Sequence, residues 1–139
     1  MSSGIKVNAD NLHDEVMHLL DQYGEIGLKA LNLAVEDEAN EIRKEVRHNV
    51  KSSGIRGKKY AGRWQIKKNY RPNGVNCTIY AGSEQPLVHL LEKGHEIKHG
   101  GAVVGEAKPF PHVSKATKDM DRSLERRIQE NLNALTEAL

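Results

Sequence analysis

The chain is short of the residues that usually staple or stiffen a small protein. Among its 139 residues are one cysteine, four prolines, one tryptophan, one phenylalanine and four tyrosines. A lone Cys77 excludes an internal disulfide and any cysteine-built zinc finger. Inside an alternating apolar run it reads as a buried, inert thiol. So few aromatics leave a thin, mainly aliphatic core and a monomer of modest stability, which favours an oligomer or a component of an assembly. No apolar run approaches the ~20 residues that span a bilayer, so no membrane partner is expected. The first residues lack the basic-then-apolar order of a secretory signal, which makes the cytoplasm the expected compartment. Hydrophobic content of 37% lies above the range of disordered chains, and the length suits one domain over residues 1–139.

Acid is missing from one stretch altogether. Residues 51–71 hold eight bases (Lys51, Arg56, Lys58, Lys59, Arg63, Lys67, Lys68 and Arg71) and no acid, whereas residues 8–50 hold ten acids and four bases. The net charge of +2 conceals this asymmetry. Two readings stay open. The bases face a polyanion such as passing double-stranded DNA, or a neighbouring subunit. Alternatively, they form a solvated face that pairs with the acidic segment. Ser52, Ser53, Gly54 and Gly57 anchor the backbone poorly, so residues 52–58 are expected to be a mobile loop that orders on assembly.

Apolar spacing predicts an α+β fold: a long N-terminal helix, a small central antiparallel β-sheet, and a C-terminal helix packed on the sheet. Leu12, Val16, Leu19, Leu20, Leu31, Val35, Ile42, Val46 and Val50 recur at steps of three and four, one face of a helix over 8–51 capped by Asn8 or Asp10. Such a helix would run roughly 60 Å at 1.5 Å per residue, too long for a compact domain of this size. It must therefore bend or break at Gly24 or Gly27, or project. A projecting end would carry Leu12, Val16, Leu19 and Leu20 as an assembly surface. Residues 58–107 read as β-rich. Tyr60 to Lys68 alternates as a strand with Tyr60, Gly62, Trp64 and Ile66 on one face. Arg71-Pro72-Asn73-Gly74 is a turn, and Val75, Cys77 and Ile79 give the buried side of a second strand. A short helix over 86–93 turns Leu87, Leu90 and Leu91 inward and ends at Gly94. Strands 96–98 and 102–104 flank His99-Gly100-Gly101. Ser114 caps a final helix over 114–138.

Four of the seven histidines fall between 87 and 112. His89, Glu92, His95, His99 and His112 could in principle ligate a metal, but the spacing lacks the pair of histidines four apart, with a glutamate between, of a zinc-protease helix. The other reading has His95 and His112 as hydrogen-bonding struts of a loop. Arg43 and His48 match a short Arg-x4-His pattern found in helical ribonucleases, where a cation and an imidazole act on a phosphodiester. Charged helices produce it by chance. No phosphate-binding glycine loop or nucleophile elbow is present.

The string His89-Leu90-Leu91-Glu92-Lys93-Gly94-His95, followed by Gly100-Gly101 and Pro111-His112, resembles the signature of a phage neck and tail-component family. Upstream, the likeness extends to a long helix, a Ser-Gly loop at Ser53-Gly54 and a Tyr60-x-x-x-Trp64 strand. It covers roughly residues 10–135. The loop Ser52 to Gly57 departs from the family's usual Pro and Thr-Gly. This resemblance implies a head–tail joining or tail-completion protein of long-tailed phages or prophages. Such a protein has no catalytic residue, metal or cofactor. It forms a homo-oligomeric ring, commonly of six copies, between the connector and the tail tube, and can be monomeric in isolation. It resides in the virion, and in the host cytoplasm during assembly. Leu90, Leu91, Glu92, Gly94, His95, Gly100, Gly101, Pro111 and His112 would then serve packing. The competing class is a small nucleic-acid-binding module using residues 51–71.

Overall fold

A computed structural model describes residues 4–52, 58–107, 109 and 111–138, and for residues 58, 59, 87, 89, 90, 95–99, 104, 106 and 107 it describes the backbone alone. Of the loop expected at 52–58, residues 53–57, Arg56 among them, lie outside the described residues, as do the side chains of Lys58, Lys59, Leu87, His89, Leu90, His95 and His99, while Ser52 ends the long first helix and Lys58 opens the next.

The chain is mixed helix and sheet, as its two periodicities predict. Strand β1 (Ile5–Val7) leads through a 3-10 turn (Asp10–Leu12) into helix α1 (His13–Ser52). Asn8 holds that entry, its side-chain oxygen accepting the Asp10 N–H at 3.0 Å. A short helix α2 (Lys58–Gly62) precedes strands β2 (Gln65–Asn69) and β3 (Asn76–Tyr80). A 3-10 turn (Gly82–Leu87) runs into α3 (Val88–Lys93), then comes a hairpin of β4 (His95–His99) and β5 (Ala102–Ala107), and finally α4 (His112–Thr117) and α5 (Met120–Glu137).

The over-long helix is resolved by a bend. Gly24 has φ 55° and ψ −127°, outside helical geometry, a combination only glycine adopts readily. The bend brings Leu19 onto Gly27, where an added Cβ would sit 2.8 Å from the Leu19 carbonyl oxygen. The N-terminal end therefore does not project. Leu12, Val16 and Leu19 are 5–7% exposed and belong to the core, with Leu20 half-buried against it. Their assignment as an assembly surface is corrected: the bend folds the stripe into the monomer.

Two further corrections concern element type and packing. Tyr60 to Gly62 is helix, not strand, and β2 begins only at Gln65. Tyr60, Ala61 and Trp64 are all buried, a spacing of i, i+1, i+4 that marks a helical face. The same Tyr60–Trp64 step mimics strand alternation. The C-terminal helix lies along α1 instead of on the sheet: Asn131 Nδ2 donates to the Ala30 carbonyl at 3.2 Å, and Ser123 donates to the buried Glu38 carboxylate at 2.9 Å. Helix α1 is thus the shared support, taking α4 and α5 as well as the sheet.

The three-stranded sheet has the order β1-β3-β2, antiparallel throughout, with Ile5 opposite Ile79 and Ile79 opposite Ile66. Val7, Val75, Cys77 and Ile79 are fully buried on its inner side. Burial pushes the Cys77 thiol above its ordinary pKa, in keeping with an inert side chain. The β4–β5 hairpin is a separate two-stranded sheet with a bulge between Ile97 and Lys98.

Candidate functional site

The pieces that carry the sequence likeness converge. Tyr60 and Trp64 come from α2 and the residues after it, Glu92 from α3 and His112 from the start of α4. His112 is 1% exposed and Trp64 fully buried. The Tyr60 hydroxyl lies 2.6 Å from His112 Nε2, and a Glu92 oxygen lies 3.2 Å from His112 Nδ1. A carboxylate accepting at Nδ1 fixes a proton there, and the Tyr60 hydroxyl closes the other ring nitrogen. The rings of Tyr60, Trp64 and His112 meet edge to face with centroids 5.6–6.0 Å apart, an arrangement favoured by their quadrupoles.

Glu92 does more than orient the imidazole. Its two oxygens accept the backbone N–H groups of Val113 at 2.8 Å and Ser114 at 3.0 Å. These are orphan donors at the start of α4, so the cap expected from Ser114 comes instead from α3. Burial by itself raises the Glu92 carboxyl pKa, but these N–H groups, the Ser114 hydroxyl and His112 outweigh it and hold the pKa below the ordinary value. Burial first, then the nearby Glu92 and Glu84 charges, drive the Tyr60 hydroxyl well above its ordinary pKa. It remains protonated.

Helix α1 supports the cluster from beneath. Arg43 Nε donates to the Trp64 carbonyl at 2.7 Å, Arg47 Nε to the Ala61 carbonyl at 3.1 Å, and Asn49 Nδ2 to the His112 carbonyl at 3.1 Å. Arg43 is thereby a structural brace. His48, five residues on, points about 140° away around the helix and is exposed. The ribonuclease-like pair does not come together.

The remaining motif residues divide. Gly94 ends α3 with φ 77°, the left-handed cap the sequence predicts. Leu91 packs partly buried against the core, and Val88, which the sequence did not single out, is buried in α3. His95 opens β4, and Gly100 and Gly101 form the tip of the hairpin. Pro111 directly precedes α4. Among the described residues no group of three His, Cys, Asp or Glu side chains is placed to hold a metal ion, and both ring nitrogens of His112 are engaged.

The basic residues are dispersed. Lys51, Arg63, Lys67 and Lys68 are exposed. Lys68 turns to the acidic helix and meets Glu36 at 3.4 Å, and Arg71 meets Asp10 at 2.9 Å. The self-neutralising reading therefore holds for these two. A further feature, absent from the sequence reading, is an open groove of about 820 Å³ between the N-terminal part of α1 and α5, floored by Leu12, Val16, Leu19 and Leu132. No helix of the described residues is long and apolar enough to cross a membrane. Comparison with protein-family models, curated proteins and solved structures finds no match.

Proposed function

We propose that the chain is a non-enzymatic virion protein of a phage or prophage, a head–tail joining or tail-completion component that works as a ring of copies between connector and tail tube. One observation carries this. The separated pieces of the signature, Tyr60/Trp64, Glu92 and His112, meet in a closed cluster. With Tyr60 and His112 at 5% and 1% exposure, a substrate has no route to the imidazole. The histidine and the glutamate serve as struts that fasten α2, α3 and α4 onto α1. That is what a scaffold motif requires, and it supports the structural class over a hydrolase.

The test is genetic. Disrupting the gene in the phage or prophage that encodes it should leave full heads and finished tails unjoined in electron micrographs, with joining restored by a wild-type copy. The chain should also appear in purified particles by mass spectrometry. Normal virion yield without the gene would overturn the proposal. The second reading, a small nucleic-acid-binding module, is supported by the exposed Lys51, Arg63 and Lys67.

A further inference from the structure

The outer face of the three-stranded sheet is more ordered in its chemistry than the basic run alone suggests. Cross-strand register places Lys6, Thr78 and Lys67 in one row. Asn69 and Asn76 sit opposite each other in the next row, and Gln65 and Tyr80 in the row beyond. These side chains share one face, because alternate residues of a strand point the same way. No carboxylate stands among them. Lys6 and Lys67 are exposed, and among the described residues neither meets a carboxylate. Lys68 points to the opposite side and is neutralised by Glu36. Lys6 is steadied by donating to the Thr78 hydroxyl at 3.0 Å. An open depression of about 630 Å³ on this face is lined by Lys6, Lys67, Asn69, Asn76, Thr78 and Tyr80, together with Lys68.

We infer that this sheet face binds the phosphate backbone of double-stranded DNA without reading its sequence. The polar groups suit the ligand: two ammonium groups that meet no carboxylate among the described residues, and amide and hydroxyl donors. Strands about 4.8 Å apart set the two lysines roughly 10 Å from each other across β3, which lets their long side chains reach separate phosphates. The Tyr80 hydroxyl is tied to Gln65 at 3.3 Å, and no other aromatic ring lies among the residues lining the depression. Base stacking, the usual source of single-strand affinity, therefore has little to work with, which favours the duplex. The surface joins β2 to a strand near the start of the chain, so a count of bases along 51–71 could not locate it. The inference stands whether or not the chain forms a ring.

Fluorescence anisotropy with a labelled duplex, using the whole protein, tests it. Binding should be measurable at about 50 mM salt and weaken steeply by about 200 mM, the range over which counterion release acts. Lys6→Gln/Lys67→Gln should retain the wild-type circular dichroism and melting temperature. It should lose about ten-fold or more in affinity at the lower salt, and the log–log salt slope should flatten by about 1.8, for two lost phosphate contacts at about 0.9 each. The comparison variant Lys51→Gln/Arg63→Gln should change the slope less. Absence of duplex binding at low salt would overturn the inference, as would an unchanged slope in the Lys6/Lys67 variant. Tighter binding to a single strand of equal length would overturn the assignment to duplex. None of these results bears on whether heads and tails join, which the gene disruption reads separately.

Discussion

Glu92 is a small case of one side chain holding two structures. One carboxylate closes the first turn of α4 and orients His112. Its pKa is depressed in the folded state, so the stability it contributes is present above the unfolded value. That stability is lost as pH falls through the folded value, below the ordinary 4.5. Glu92→Gln should therefore lower stability near neutral pH by about 1–2 kcal/mol, the usual worth of a helix cap. The deficit relative to wild type should shrink towards pH 3. Thermal melts of both proteins across that range check it, and a deficit independent of pH would show that the charge is not what matters. The sequence made His112 visible as a hydrogen-bonding strut, and the structure gives it that place. It could not reveal Glu92 as the cap of α4, because a cap supplied from twenty-odd residues upstream leaves no local pattern. Ser114, the expected cap, sits where a local rule would look.

At the scale of elements, the bend in α1 decides the layout. Gly→Ala inside an ordinary helix stabilises by about 1 kcal/mol. Here the sign should reverse. Gly27→Ala would drive a Cβ to 2.8 Å from the Leu19 carbonyl oxygen and 3.2 Å from its Cγ, and should destabilise by about 1–3 kcal/mol. Gly24→Ala meets no neighbouring atom, so its loss should come from backbone strain alone, about 1–2 kcal/mol. Denaturant midpoints of the two variants test both, and stabilisation by either would mean that α1 runs straight there. Composition and length flagged these two glycines as the weak points. What they could not supply was the direction of the bend, which is set by tertiary packing and leaves no local pattern. The same tertiary dependence explains α2: Tyr60 and Trp64 fit a strand's alternation, but Arg47 binds the helical Ala61 carbonyl and Arg43 the Trp64 carbonyl just beyond it.

For the molecule as a whole, α1 is the central support and the leucines of its first turns are core. Leu19→Asp should therefore unfold the monomer, or lower stability by more than about 3 kcal/mol, since it removes a packed leucine and buries a charge. Met17→Asp, at a position 49% exposed, should be nearly neutral. Circular dichroism and thermal melts separate the two outcomes. A stable Leu19→Asp monomer would return that stripe to the surface. Oligomerisation would have to use faces other than that stripe, and the β4–β5 hairpin, a separate two-stranded sheet, is one candidate.

The pairing of β1 with β3 also sets an order of events in time. Strand β3 has β2 as a near neighbour across one short turn, but its other edge is filled by Ile5–Val7, with Ile5 opposite Ile79. Closing so long a stretch of chain costs more entropy than closing a hairpin. Strand β1 is then expected to be the last to be seated, after α1 has bent and the β2–β3 hairpin has formed. In pulse-labelled hydrogen exchange during refolding, amides bonded between β2 and β3 should gain protection before those bonded between β1 and β3. Simultaneous protection would refute that order. Until β1 arrives, β3 presents an unpaired edge of Asn76–Tyr80, and a second copy's Ile5–Val7 fits it as well as its own. At high concentration the slow step of folding becomes a point where two chains can exchange their first strands.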